Sequence, residues 1–462
     1  MSDALQKLEV SNVRRFKPYP AYKASGIEWL GDVPEQWAVK RLKYSASIND
    51  EALPETTNPD YEMSYVDISG VDPFSGITAT EDLMFETAPS RARRIVQAGD
   101  TIVSTVRTYL RAIAPIKNPP RNLIVSTGFA VVRPRAVVPA FLSYALREAG
   151  FVDTIVARSV GVSYPAVNAS EIGTIPIPLP SRSEQPTISD FLDRETAKID
   201  GLIAKKRVLI DKLKEKRSAL ISRTVTRGLP PEAARTAGLD PYPPLKPSGL
   251  DWIGDIPDHW AVQPYKRLCK RVDVGIAEAA THAYCDEGVA MIRSTNIRPN
   301  CLDTEDILRI EPWFAEKNKS KTLRAGDLVT VRTGYPGTTA VIPAEYAGSQ
   351  CFTLVMSTLK DAECPHFFSY LFNSDQGVNY FQMEGWGTAQ TNISVPIVQN
   401  MPVARPPAPE QREIVAYLDV ETARIDDMVA KIETVIARLK EYRARLITAA
   451  VTGKIDVRGV VT

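Results

Sequence analysis

The apolar positions of two segments of the chain recur with a heptad period. In the later segment they are Ile425, Met428, Ile432, Val435, Leu439, Tyr442 and Leu446. In the earlier segment they are Ile199, Leu202, Leu209, Leu213 and Leu220, with lysines at two further positions of the register. This spacing is typical of a coiled-coil seam and predicts one long helix in each segment. An isolated apolar stripe about 60 Å long is unstable in water, so we expect the two helices to pair.

The chain between the two predicted helices favours an antiparallel pair. Residues 229–246 form a proline-rich connector, and a whole globular segment follows it before the second helix begins. Proline stiffens such a connector and removes backbone donors. Because a globular domain lies between the helices, the second helix can return alongside the first, and the pair is predicted to have pseudo-twofold symmetry.

The rest of the chain alternates short β-rich runs with helical stretches. Runs of apolar and β-branched residues, bounded by Pro, Gly and Asn, occur at 101–104, 129–132, 328–331 and 352–355. Helical patterns lie between these runs, for instance at 139–149 and 364–372. This mixture predicts an α+β fold for each of two regions.

The two α+β regions are copies of one unit. Ser25–Val39 returns as Ser248–Val262, and the helix start Glu184-Gln185 returns as Glu410-Gln411. Because both echoes have nearly the same offset, almost the whole chain is one unit repeated. The predicted segments are residues 1–20 as an N-terminal tail, 21–183 as the first domain, 184–228 as the first long helix, 229–246 as the connector, 247–409 as the second domain, 410–453 as the second long helix and 454–462 as a C-terminal tail.

Composition and charge describe an ordinary globular chain. Of the 462 residues, 44% are apolar and 24% charged, with a net charge of +1. No apolar run approaches membrane length and residues 1–20 are polar, so the sequence predicts a cytoplasmic protein with no membrane partner. All five cysteines lie in the second copy, which favours free thiols, and no metal site is expected. Residues 194–227 carry eleven Lys/Arg against four Asp/Glu, an excess that suits either a polyanion partner or a solvated helix face.

Candidate catalytic motifs are few. Asn118-Pro119-Pro120-Arg121 is similar to the loop with which amino-methyltransferases hold an extruded base, but Arg121 stands where that loop needs an aromatic ring. The sequence has no glycine-rich turn for S-adenosylmethionine, no phosphate-binding loop and no nuclease-type carboxylate triplet. We therefore expect a proline turn at this position and no catalytic residue in the chain.

Polar residues follow corresponding strands of the two copies. After a Gly-Asp turn and a strand, they are Arg107, Thr108, Tyr109 and Arg111 in the first copy, and Arg332, Thr333 and Tyr335 in the second. An earlier strand differs between the copies and adds Arg293, Ser294 and Asn296 in the second. Arginine can bind guanine or phosphate with two hydrogen bonds, and the hydroxyls can bind phosphate. These residues suit a nucleic-acid surface, although a charged sheet edge explains the residue types equally well.

Both copies carry the same motifs in the same order. An opening with Ser-Gly, Trp, Gly-Asp, Pro and Trp leads to a proline-rich exit, a Glu-Gln helix start and a heptad helix. In this combination, residues 19–454 resemble the specificity subunit of type I restriction-modification systems. The resemblance implies two target-recognition domains, an antiparallel helical pair, and binding to double-stranded DNA, to two methyltransferase subunits and optionally to two restriction subunits. S-adenosylmethionine and ATP would be cofactors of those partners, and none is expected in this chain.

The resemblance is closer in the second copy. The family's Arg-x-Gly-x-x-Gly motif is kept at Arg332–Gly337, whereas residues 107–111 have lost both glycines. Residues 387–392 resemble the family's polar turn ahead of the last strand, where Gln390 or Asn392 can read adenine. The first-copy counterpart, residues 161–168, is a weaker match.

The sequence thus predicts a non-catalytic DNA-recognition subunit that reads a two-part asymmetric target, one half-site per domain. Two other functions stay open at this point. One is a stand-alone N6-adenine methyltransferase built around residues 118–121, and the other is a coiled-coil scaffold with no role in DNA binding.

Overall fold

The computed structural model describes residues 16–278, 280–387 and 391–460. They form two compact units. The first unit contains the chain up to Lys206 and again from Thr434, and the second contains Arg207–Glu433. Each unit therefore combines one globular domain with a part of each long helix.

The two predicted long helices are confirmed as Glu184–Arg227 and Ala408–Val451, each of 44 residues. In the first unit, Asp200 pairs with Arg443 at 2.9 Å, and Glu184 lies 3.8 Å from Arg458, beyond the end of the second helix. Residue numbers rise along one helix as they fall along the other. The predicted antiparallel pairing is therefore present in this unit.

The second unit repeats the arrangement. Arg217 pairs with Asp426 at 2.9 Å, and Gly228, just after the first helix, lines the same cavity as Glu410, near the start of the second. The helices are antiparallel here as well.

The buried face of the first long helix is shifted by one residue from the predicted seam. Ile203 and Ile210 are buried, whereas Leu202 and Leu209 are 48% and 41% exposed, which corrects the prediction for both leucines. In each adjacent Leu-Ile pair, either residue fits the heptad spacing. The two side chains nevertheless project about 100° apart around the helix axis, so only one of them can face inward. Spacing alone therefore could not decide which residue packs inward. The remaining predicted positions, buried or half-buried, are Ile199, Leu213 and Leu220.

The second long helix needs one such correction. Val435 is exposed, and the neighbouring Ile436 packs against the core of the first unit instead. The other predicted seam residues, buried or half-buried, are Ile425, Met428, Ile432, Leu439, Tyr442 and Leu446.

The first domain contains two four-stranded sheets. One is antiparallel and has the strand order Ile113–Pro115, Thr101–Ser104, Phe129–Pro134, Ala46–Ile48. The other has a parallel central pair and the order Glu81–Met84, Glu62–Val66, Leu123–Ser126, Ala92–Ile95. Two-stranded ladders join Tyr22–Ala24 to Asp32–Pro34, Ala38–Arg41 to Pro176–Leu179, and Val71–Asp72 to Gly76–Ile77. The helices are Pro139–Ala145, Ala149–Arg158 and Ala169–Ile172.

The second domain is built in the same way. Its antiparallel sheet has the order Thr339–Val341, Leu328–Thr330, Val355–Leu359, Cys269–Val274. Its other sheet has the order Tyr284–Cys285, Leu308–Ile310, Val289–Ile292, Gln350–Cys351, with a parallel pair at its end. Ladders join Leu245–Pro247 to Asp255–Pro257, Ala261–Pro264 to Pro402–Arg405, and Ile297–Arg298 to Cys301–Leu302. The helices are Pro312–Lys317, Pro365–Asn373, Asp375–Glu384 and Val395–Asn400, and Pro231–Thr236 lies in the connector.

The repeated motifs join each domain to a long helix. The indole N–H of Trp37 donates to the carboxylate of Glu184 at 3.1 Å, and Trp260 donates to Glu410 at the same distance. Both carboxylates are buried near the start of a long helix. The repeated contact between tryptophan and glutamate thus fixes where each helix leaves its domain.

A tyrosine hydroxyl makes the next contact along each helix. Tyr144 donates to Asp193 at 2.7 Å, and Tyr370 donates to Asp419 at 2.8 Å. Burial, with the nearby carboxylate adding to it, raises the pKa of each tyrosine to about 12. The aspartate belongs to an Asp-x-Glu-Thr motif that occurs in both copies, at 193–196 and 419–422, and this contact explains its recurrence.

Candidate nucleic-acid interface

A buried carboxylate holds each Gly-Asp turn ahead of the candidate loops. Asp100 accepts hydrogen bonds from the Arg133 guanidinium at 3.0 Å, and Asp327 accepts one from Arg271 at 3.2 Å. The strand that follows each turn, Thr101–Ser104 or Leu328–Thr330, is buried along its whole length. The Gly-Asp motif is therefore structural, and it fixes the strand whose end carries the arginine loop.

In the second domain the structure brings Arg332, Thr333 and Asn392 together. The Arg332 Nε–H donates to the carbonyl of Ile393 at 3.1 Å, and the Ile393 N–H donates back to the Arg332 carbonyl at 3.0 Å. The Thr333 hydroxyl donates to the side-chain oxygen of Asn392. Tyr335 is highly exposed at the loop tip. Arginine, hydroxyl and amide groups therefore lie side by side, and each of them is able to form hydrogen bonds with base edges.

The glycines of this loop are needed for its shape. Gly334 and Gly337 have φ angles of +93° and +91°, a region that side chains disfavour. A Cβ at Gly337 would lie 2.3 Å from the ring of Phe381, so a larger residue would displace the loop.

A short hairpin pairs with the loop that begins at Arg332, here called the arginine loop. Trp386 and Asn392 exchange both backbone hydrogen bonds, at 3.0 Å and 2.8 Å. Gln390, predicted to read adenine, lies outside the described residues. Trp386 is 62% exposed. Sequence analysis missed this tryptophan, although its position between Gly385 and Gly387 marks a tight turn with an apolar ring on it.

The first domain has a matching pair of loop and hairpin. Val160 and Ala166 exchange backbone hydrogen bonds, and the Arg107 N–H donates to the carbonyl of Pro165 at 2.8 Å. The Arg107 guanidinium lies 4.8 Å from the ring centre of Tyr164. The hairpin that was the weaker match in sequence thus occupies the same place beside the arginine loop.

The first-domain loop keeps a tight turn without its glycines. Arg107 and Arg111 take left-handed backbone angles, with φ of 50° and 53°, at the two ends of the turn Thr108–Leu110. Tyr109 is exposed, and the Arg111 guanidinium pairs with Asp153 at 2.7 Å.

Two predicted DNA-binding side chains are corrected by their burial. Thr108 is buried and its hydroxyl bonds to Ser159 at 2.7 Å, because the tight turn directs this side chain inward. Asn296 is buried and its amide donates to the carbonyls of Asp303 and Glu305. Neither side chain is available for direct contact with DNA.

Arg293 and Ser294 follow the strand Val289–Ile292, which belongs to the other sheet. The Arg293 guanidinium donates to the carbonyl of Asp306 at 2.8 Å, and Ser294 is exposed. Their predicted contact with DNA stays a prediction.

The segment that is similar to a methyltransferase loop is a turn. Asn118 has a φ of +46°, the Leu123 N–H donates to the Pro120 carbonyl at 3.1 Å, and Arg121 is exposed. The segment joins Ile113–Pro115 to Leu123–Ser126, the strands on either side.

Two features are absent from the residues that the structure describes. Among them, no helix has the length and apolar character needed to cross a membrane. Nor do the described residues contain a group of three or more His, Cys, Asp or Glu side chains placed to hold a metal ion. The five cysteines are free thiols.

Comparison with known proteins gives one consistent result. The family model described as type I restriction modification DNA specificity domain matches residues 34–210 and 279–438. The putative type I restriction enzyme MjaX specificity subunit of Methanocaldococcus jannaschii is 21% identical over 448 residues, covering 93% of this chain and 96% of that protein. The type I restriction enzyme EcoKI specificity subunit of Escherichia coli is 20% identical over 338 residues, covering 71% of this chain and 68% of that protein.

The fold also matches a solved structure. A chain from a study of complex assembly and conformational transition of the type I R-M system superposes with a TM-score of 0.65 and 24% identity. The match covers 93% of this chain and 99% of that one. With the family model matching well over half of its residues, this chain belongs to the family of the type I restriction modification DNA specificity domain.

Proposed function

We propose that this chain is the DNA sequence-specificity subunit of a type I restriction-modification complex and reads a two-part asymmetric target, one half-site per domain. The observation that carries the proposal is the repeated pairing of an arginine loop with a hairpin. In each domain a buried strand leads to an arginine whose loop is hydrogen-bonded to that hairpin. Membership in the family of the DNA specificity domain supports a role for this repeated surface in reading DNA.

The chemistry of the second loop suits direct reading of bases. Arg332 offers a planar fork that matches the two acceptors of guanine, and Asn392 offers an amide that matches adenine. Tyr335 and Thr333 offer hydroxyls, which suit phosphate or either base edge. Sequence differences between the two domains at these positions support two different half-sites.

The first loop presents a different set of groups. Arg107, Tyr109 and Arg111 remain candidate DNA contacts, with Tyr164 beside Arg107. Because Arg107 is held over an aromatic ring and Arg111 is paired with Asp153, their guanidinium groups are oriented before DNA binds. Such orientation lowers the entropy lost on binding.

The proposal assigns catalysis to other subunits. Two methyltransferase subunits, with S-adenosylmethionine, would modify the DNA, and two restriction subunits, with ATP, would complete the complex where they occur. The turn at Asn118–Arg121 supports this division, because Arg121 leaves it without the ring that a base-holding loop needs. Relatives named as specificity subunits support it as well.

The test is assembly followed by DNA binding and methylation. The purified chain, mixed with a methyltransferase subunit of the same system, should form a stable complex that binds one duplex sequence selectively and methylates it. The chain alone should transfer no methyl group and bind no S-adenosylmethionine. Methyl transfer by the chain alone would favour the methyltransferase alternative, and a complex without selective DNA binding would favour the scaffold.

A further inference from the structure

An apolar ring projects from the surface of the second domain beside its arginine loop. Trp386 is 62% exposed, and Met383, in the last turn of the preceding helix Asp375–Glu384, is more exposed still. An exposed tryptophan contributes little to folding, because the hydrophobic gain requires its surface to leave water. Its ring is therefore available for contact with a partner.

Hydrogen bonds and close packing hold the backbone on either side of the ring. Trp386 exchanges two backbone hydrogen bonds with Asn392, and Thr333 bonds the side chain of Asn392. A Cβ at Gly385 would lie 2.4 Å from the methyl carbon of Thr391, so the hairpin packs closely at this glycine. The backbone that carries the indole is thus hydrogen-bonded to Asn392, one of the candidate base-reading residues.

The first domain repeats the feature with different residues. Val160 occupies the corresponding hairpin position and is 80% exposed, and Val162 at the tip is fully exposed. Gly161 and Gly387, the next residues, have nearly equal φ angles of +120° and +116°. Two copies that have diverged in sequence both keep an apolar side chain outside the core at this place.

We infer that Trp386 inserts into the base stack of the second half-site when the assembled complex binds DNA. The inference rests on the proposed function. Apolar side chains that enter a base step unstack it locally, and aromatic rings stack on bases of any sequence. The neighbouring groups favour DNA over a protein partner, because Arg332, Thr333 and Asn392 are suited to base edges and phosphate.

Insertion of Trp386 would also let the hairpin help the partner methyltransferase subunit to open the duplex. A methyltransferase reaches its target atom only after the base leaves the duplex, and that step costs unstacking energy. A ring that already occupies part of the stack replaces some of the lost stacking. Trp386 is therefore a positioning residue, which acts through the DNA and not on the reacting atoms.

The test compares Trp386→Ala, Trp386→Phe and the matched control Trp313→Ala in the assembled complex. Trp313 is also an exposed tryptophan of the second domain, at 55%, but lies on the helix Pro312–Lys317. Permanganate reactivity of thymines reports unstacking in each half-site, and fluorescence anisotropy reports affinity. Size-exclusion chromatography without DNA reports assembly with the methyltransferase subunit.

We expect the wild-type complex to make a thymine of one half-site reactive. Trp386→Ala should abolish that reactivity and weaken binding by up to about 150-fold, the upper limit for loss of one base-stacking ring, because opening the base step offsets part of the stacking gain. Trp386→Phe should keep most of both signals, and Trp313→Ala should match the wild type.

Other results would overturn the inference in distinguishable ways. Unchanged reactivity and affinity in Trp386→Ala, with selective binding by the wild type, would refute insertion and leave the proposed function standing. Loss of assembly without DNA would show that Trp386 belongs to a protein interface. Absence of selective binding by the wild-type complex would refute the proposed function, and the inference with it.

Discussion

Replacing Arg332 by lysine should relax sequence preference at one half-site while leaving binding to unrelated DNA nearly intact. The arginine is half-buried, and its Nε–H donates to the Ile393 carbonyl at 3.1 Å. That bond orients the guanidinium, whose terminal nitrogens then form the fork that binds a base edge. A lysine has a single ammonium group, which cannot hold the carbonyl and grip two acceptors of one base at the same time.

The expected size of the effect follows from the geometry. A two-bond contact to a base edge contributes about 1–3 kcal/mol of discrimination, or about 5- to 150-fold in affinity for the cognate duplex. Lysine keeps the charge, so the salt dependence of binding should be unchanged in Arg332→Lys. If Arg332 instead neutralises a phosphate, lysine should retain affinity, and Arg332→Ala should lower the slope of log K against log salt by about 0.9.

The assay is anisotropy of a labelled duplex with the assembled complex, between 50 and 200 mM salt, a range over which phosphate contacts change affinity strongly. Cognate duplex is compared with duplexes altered in one half-site or the other. Arg309→Ala is the matched control, because this arginine of the second domain also donates to a backbone carbonyl, that of Gly288 at 2.9 Å. Equal loss on every duplex, or no loss at all, would refute base reading by Arg332.

Three further predictions test the helices, the tyrosine contact and the absence of catalysis. In urea titrations, Ile210→Ala should lower the free energy of unfolding by about 2–4 kcal/mol, whereas Leu209→Ala should lower it by less than about 0.5 kcal/mol. A larger loss in Leu209→Ala would show that the seam predicted from the sequence is the one that packs inward. Tyr370→Phe should cost about 1 kcal/mol, because Asp419 is exposed and a solvated acceptor loses little. Because the pKa of Tyr370 in the folded protein is raised to about 12, the stability that this hydroxyl contributes should be present below pH 10 and be lost as the pH rises to about 12. A difference in stability between wild type and Tyr370→Phe that persists in thermal melts at alkaline pH would contradict the assignment. Arg121→Ala should leave the methylation rate of the complex within a few-fold of wild type, and a collapse with DNA binding intact would favour the methyltransferase alternative.

Architecture was predictable because it repeats. Heptad spacing, the doubled Trp motif and the Glu-Gln helix starts each occur twice, and two agreeing copies exclude most chance matches. The side of the helix that packs inward was not predictable from spacing, because adjacent apolar residues such as Leu209 and Ile210 fit the same period. Packing against a neighbouring surface decides between them.

The candidate site was predictable in its position but not in its exposed atoms. Residue type and strand position located the loops of Arg107 and Arg332, yet Thr108 and Asn296 proved to be buried. The Thr108 side chain is hydrogen-bonded to a neighbouring hydroxyl, and the Asn296 side chain is hydrogen-bonded to backbone carbonyls. Serine, threonine and asparagine commonly form such bonds in tight turns. Trp386 was missed for the opposite reason, since an apolar residue in sequence is read as core unless the hairpin that exposes it is known.

The central claim is that each domain reads its own half of the target. The most direct test exchanges residues 247–409 for the corresponding domain of a relative with a different specificity and sequences the methylated bases in cells that also carry the methyltransferase subunit. The account predicts a two-part motif in both strains, with one half unchanged and the other replaced. A contiguous motif, or a change in both halves, would contradict it.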